Sequence, residues 1–168
     1  MNSKFLSKNF FISFSIVALI YFLDRLSKIF VIQLDKNNLG SDIFNSAYLN
    51  IVLIWNKGIA FGLLSFDDEY FYNILSSIIA VIIIILIGMS IKSTKLKRYS
   101  MLVIVGGALG NLHDRIFFNA VPDFIDFHVG NFHWFIFNVS DIFITLGVIS
   151  MIIVELIEKD NYDNDKKI

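Results

Sequence analysis

Between Tyr70 and Ile91 the chain carries no charged residue, and Ile78 to Ile87 is an almost unbroken aliphatic run. Crossing about 30 Å of hydrocarbon takes about 20 apolar residues in a helix. A segment of this length and purity therefore predicts a transmembrane helix. The rest of the chain agrees: 56% of the 168 residues are hydrophobic and 17% are charged. That is more apolar surface than a soluble domain of this size can hide. A net charge of −1 gives no electrostatic reason to expect nucleic acid as a partner. The absence of cysteine excludes disulfides, thiolate metal sites and a cysteine nucleophile together.

Three further spans follow from hydropathy, giving approximate helices over 9–30, 70–91, 99–118 and 134–156 in one domain. The first is uncharged from Asn9 to Leu23 and then meets Asp24, Arg25 and Lys28, which are expected as charged last turns at the interface. Lys4 and Lys8 ahead of an apolar core also fit a cleaved signal peptide. No small-residue cleavage site follows, however, so a retained helix is expected. The third span holds Gly106, Gly107, Ala108 and Gly110, then Asn111, Asp114 and Arg115; the fourth holds Asn138, Asp141 and Thr145. Polar residues inside a span are expected to look inward at protein or water.

Lys92, Lys95, Lys97 and Arg98 lie between spans two and three, Lys4 and Lys8 before span one, and Lys159, Lys166 and Lys167 after span four. The positive-inside rule then puts both termini in the cytoplasm. Arg25, Lys28, Lys36 and Lys57 fall on the outer side, so the rule holds only as a bias. In the first outer segment, Tyr48 to Trp55 is rich in β-branched and aromatic residues and reads as a strand. Asn56-Lys57-Gly58 reads as a turn after it. The expected fold is thus all-α and integral to the membrane, with a small β-sheet between helices one and two. The charged tail over 158–168 is expected to be disordered.

Gly107, Asn111 and Asp114 share one face of span three, at i, i+4 and i+7. Gly106 and Gly110 offer a second, small-residue face for close helix contact. Asn138, Asp141 and Thr145 share a face of span four, with Asp141 two turns deep if that helix starts at Trp134. A buried, unpaired aspartate costs several kcal/mol, roughly, so it needs a reason. Asp123, in Val121-Pro122-Asp123-Phe124, supplies one: spans three and four run antiparallel, so a short excursion can bring Asp123 and Asp141 together. Asp126 is a second option, but in a loop a solvated role suffices for it. Spacing alone serves equally a helix cap plus a buried hydrogen bond and a shared site. Two carboxylates in one site hold a proton between them. One can then take a proton from water while the other polarises a carbonyl and later protonates a leaving amine. A metal centre is less well supplied. His113, His128 and His133 form no i, i+4 pair, and His128 and His133 read as interfacial loop residues.

Five blocks in order resemble the lipoprotein signal peptidase (signal peptidase II) family. They are Leu23-Asp24-Arg25-Leu26-Ser27-Lys28, Asn56-Lys57-Gly58-Ile59-Ala60-Phe61-Gly62, Gly106 to Arg115, Val121 to Phe127, and Phe137-Asn138-Val139-Ser140-Asp141. The departures are mild: Pro122 and His113 each replace a usual apolar residue, and Ser140 stands where alanine is common. The resemblance implies a metal-free, cofactor-free aspartic endopeptidase of the bacterial inner membrane. Its partners would be membrane lipid and prolipoproteins carrying a diacylglyceryl-modified cysteine, cut just before that cysteine at the outer face. Asp123 and Asp141 would be the catalytic pair. Asp24, Asn56, Gly58, Gly107, Asn111, Asp114, Arg115 and Asn138 would order the site or bind substrate, and the segment from Asn56 to Phe66 would move to admit it. Two rivals use the same residues differently: a small proton or ion conductor relaying through the aspartates, and a structural assembly protein pairing through Gly106 and Gly110.

Overall fold

The computed structural model describes residues 3–37, 43–58, 69–93 and 95–165. Four helices dominate: α1 (Ser3–Asn37), α2 (Glu69–Lys92), α3 (Lys95–Phe118) and α4 (Val139–Asp165). Each contains a segment long and apolar enough to cross a membrane: Phe10–Asn37, Tyr72–Lys92, Leu96–Phe118 and Val139–Lys159. α3 is the central helix, packed against α1, α2 and α4. Its span is by far the most buried of the four, whereas α2 leaves most of its isoleucines exposed. That contrast follows from sequence: α3 carries the glycines and polar groups that other helices can pack on, and α2 offers a mostly aliphatic surface suited to lipid.

The links between α1 and α2 and between α3 and α4 join in one antiparallel sheet. Its strands, β1 (Phe44–Asn45), β2 (Leu49–Asn56), β3 (Val121–Val129) and β4 (Phe132–Phe137), lie in that order. β2 fulfils the expected strand and Asn56-Lys57-Gly58 the expected bend, with the Gly58 amide donating to Asn56 Oδ1 at 2.7 Å. Asn119, in the left-handed region at φ 52°, ends α3. Gly130, at φ 60°, turns the tight β3–β4 hairpin.

Four expectations need correction. The sheet is not confined to the link between α1 and α2; half of its strands come from the later link. The segment from Trp134 to Phe137 is strand and not the start of the last helix, which begins at Val139. Cross-strand pairing with β3 wins there because the residues are aromatic and β-branched, and these suit a pleated surface. α1 runs on to Asn37, so Asp24, Arg25 and Lys28 lie within it rather than in its last turns. α4 stays helical to Asp165, where a disordered tail was expected from 158; Lys97 of α3 pairs with Glu155 near that end. Residues 59–68, which include most of the segment expected to move, lie outside the described residues.

Candidate active site

The site is built where the sheet meets the end of α3, the start of α4 and the stretch of α1 that carries Asp24, Arg25 and Lys28. α4 starts with reciprocal capping. The Asp141 amide donates to Asn138 Oδ1 at 3.2 Å, and the Asn138 amide donates to Asp141 Oδ2 at 3.1 Å. Asp141 therefore lies in the first turn of α4, not two turns deep. A plain cap would leave its other oxygen to solvent; instead Asn111 Nδ2, from α3, donates to Asp141 Oδ1 at 2.9 Å.

Asp123 arrives on β3. Its Oδ1 accepts from Asn138 Nδ2 at 2.6 Å, and its Oδ2 accepts from Asn56 Nδ2, at the end of β2, at 2.8 Å. Asn138 thus binds both carboxylates, one through its amide nitrogen and the other through its backbone. Asp123 and Asp141 are 3% and 5% exposed, so neither is a solvated turn residue. Burial first, and the nearby Asp141 charge second, push Asp123 from 3.8 up to about 6.

Behind Asn111 stands a fully buried ion cluster. Lys28 Nζ donates to Asn111 Oδ1 at 2.8 Å and to Asp114 Oδ2 at 2.7 Å, and lies 2.9 Å from Asp24 Oδ2. Arg25 Nη2 donates to Asp114 Oδ2 at 2.7 Å and to Asp24 Oδ2 at 3.1 Å. The other oxygen of Asp24 accepts the Ser140 amide at 3.0 Å. An α1 carboxylate thereby meets the electropositive N-terminus of α4. Arg115 donates to the Gly58 carbonyl at 2.9 Å and to the Asn111 carbonyl at 3.2 Å, tying α3 to the bend after β2.

Two glycines permit this density. A Cβ at Gly110 would lie 2.5 Å from Asp24 Oδ2, and one at Gly107 would lie 2.6 Å from the Ser140 carbonyl oxygen. Gly107 therefore seats α4 on α3 and touches neither carboxylate of the pair. Gly106 meets Ile20 of α1, so this glycine face is used within the chain.

All the expected site residues converge except Gly107, which acts through packing. Arg25 and Lys28 were not expected as site residues, although the i, i+4 spacing of Asp24 and Lys28 was visible. Asp126, the second option, lies not in a loop but on β3, where it is 3% exposed. Beside Asp141 opens a groove of about 540 Å³, lined by Phe127, Trp134, Phe137, Ile142, Thr145 and Leu146 among others.

Four helices long and apolar enough to cross a membrane, with a buried aspartate pair where two of them meet the sheet, give the outline of a multi-pass membrane protein. Residues 16–157 match the family model described as "Signal peptidase (SPase) II". A lipoprotein signal peptidase of Pelagibacter ubique (strain HTCC1062) is 46% identical over 159 residues, covering 95% of this chain and 96% of that one. Another, of Anaplasma phagocytophilum (strain HZ), is 46% identical over 137 residues, covering 80% and 85%. A solved bacterial membrane enzyme superposes with a TM-score of 0.72 at 30% identity, over 89% of this chain and 90% of that one. The chain belongs to the signal peptidase II family.

Proposed function

We propose that this chain is an intramembrane aspartic endopeptidase that removes the signal peptide from diacylglyceryl-modified bacterial prolipoproteins, cutting just before the lipidated cysteine. The observation that carries this reading is Asn138 holding Asp123 and Asp141 together. Charge balance supports it. Asp24, Asp114, Asp123 and Asp141 face Arg25, Lys28 and Arg115, so one shared proton neutralises the buried set. In this scheme Asp123, pushed up to about 6 by burial, holds that proton. It would polarise the scissile carbonyl while Asp141 accepts a proton from the attacking water. As the tetrahedral intermediate collapses, Asp141 would pass the proton it took from water to the leaving amine, and a hydroxyl of the intermediate would return to Asp123 the proton that it gave to the carbonyl oxygen.

The remaining residues have roles in this scheme. Asn56, Asn111 and Asn138 orient the carboxylates without adding charge. Asp24 and Asp114, with Arg25 and Lys28, fix α1, α3 and α4 relative to one another. Arg115 anchors Gly58, and Gly107 allows the close approach of α4. The apolar groove beside Asp141 suits a signal peptide helix or acyl chains entering from the bilayer. Arg25 and Lys28 are consumed in buried pairs, which removes them from the loop charges that set orientation. Both termini are then cytoplasmic, in the inner membrane, with the sheet and the aspartates at the outer face.

The test is cleavage in reconstituted lipid. Precursor carrying diacylglyceryl should shift in size, precursor lacking it should not, and a chelator should change neither. Equal cleavage of the unmodified precursor would contradict the proposed substrate class. Loss of cleavage on chelation, with folding retained, would contradict metal-free chemistry.

A further inference from the structure

Away from the aspartate pair, the β3–β4 hairpin gathers a second set of polar groups. Asp126 and His128 lie on β3, and His133 on β4. The register pairs His128 directly with His133 across the hairpin, and a strand irregularity between Asp126 and His128 breaks the alternation of faces. One donor atom from each of the three residues lies within 4.8 Å of the others.

The cluster is under-satisfied as it stands. Asp126 is 97% buried by its 3% exposure, yet its Oδ1 has no hydrogen-bond partner among the described residues. His128 Nδ1 is likewise buried and unpartnered. Asp126 Oδ2 does bond, to His133 Nδ1 at 2.8 Å and at longer range to Asn50 Nδ2 at 3.4 Å. The two imidazole rings stack at 5.0 Å between centroids and 15° between planes. A buried carboxylate oxygen and a buried ring nitrogen without partners cost stability, and nothing in peptide cleavage uses them. The three side chains bring one donor atom each close enough to share a single cation.

We propose that Asp126, His128 and His133 form a binding site for a divalent transition-metal cation of the zinc class. Two imidazoles and one carboxylate are a borderline-soft donor set that favours zinc, cobalt or nickel over calcium or magnesium. Three protein donors leave room for water to complete the shell. The ion clasps β3 to β4, on the strand that carries Asp123, and takes no part in the chemistry at the aspartate pair. The role is structural, so the site is independent of the proposed peptidase function.

Co²⁺ alone is the probe, added to untagged full-length chain in detergent after metal stripping. The expected result is visible d–d absorption of low-coordinate cobalt saturating at one ion per chain, lost when excess Zn²⁺ is added, with a raised melting temperature. His128→Phe keeps the ring stack and His133→Gln alters a half-exposed side chain, so both should fold; each should lose the cobalt spectrum. His113→Phe, changing the remaining histidine, should keep it. Folded wild type giving no saturable spectrum would overturn the proposal, as would a spectrum that survives both hairpin substitutions.

Discussion

Two groups of buried carboxylates lie side by side in this molecule and are held in opposite ways. Asp24 and Asp114 are bound by cations, Arg25 and Lys28, in a cluster whose charges cancel. Asp123 and Asp141 are bound by neutral donors, the amides of Asn56, Asn111 and Asn138. Lysine and arginine tie the first two carboxylates together across α1 and α3 by opposite charge. The amides orient the second two without adding charge. The two pairs of aspartates thus differ in the kind of donor each receives, cationic for one and neutral for the other.

The sharpest way to break this comparison is to disturb the ion cluster. Lys28→Met leaves Asp24 and Asp114 with one cation between them, and breaking a buried pair costs about 3–5 kcal/mol. Unfolding in detergent should show that loss, and adding Asp24→Asn should recover much of it by restoring neutrality. Gly110→Ala comes next. Its Cβ would press on the Asp24 carboxylate and Ser140, and overpacking of this kind costs about 1–3 kcal/mol. Asn138→Ala removes a helix cap, about 1 kcal/mol of stability by unfolding, and takes from Asp123 Oδ1 its side-chain donor, while the backbone bond to Asp141 stays. Cleavage should therefore fall far more than stability in that variant.

The smallest effect is on pH dependence. Asp123 is raised from 3.8 to about 6, so between those values the folded chain holds a proton that the unfolded chain has released. Stability then falls as pH rises across that window and is flat above it. Unfolding curves should show this slope in wild type and a shallower one in Asp123→Asn.

Much of this division could be read from the sequence, but not all of it. The uncharged run through Ile78–Ile87 fixes α2 without ambiguity, and the shared face of Asn111 and Asp114 is the face of α3 that meets Lys28 and Asp141. The segment from Trp134 to Phe137 deceived because an apolar strand and an apolar helix look alike over so few residues. Only its partner β3, distant from it in pattern if not in sequence, decides between them. Arg25 and Lys28 were read as interfacial because a one-dimensional pattern cannot show that Asp114 waits on another helix. The same limit hid Asp126: a polar residue between loops gives no sign that two strands will bury it.

The most direct test of the account is single-turnover cleavage of diacylglyceryl-modified precursor by wild type, Asp123→Asn and Asp141→Asn in lipid, with unfolding curves measured on the same preparations. The account predicts that both variants fold and that each loses roughly 10²–10⁴-fold in rate, the range expected for a general acid or base. A folded variant of either aspartate cutting at the wild-type rate would contradict it.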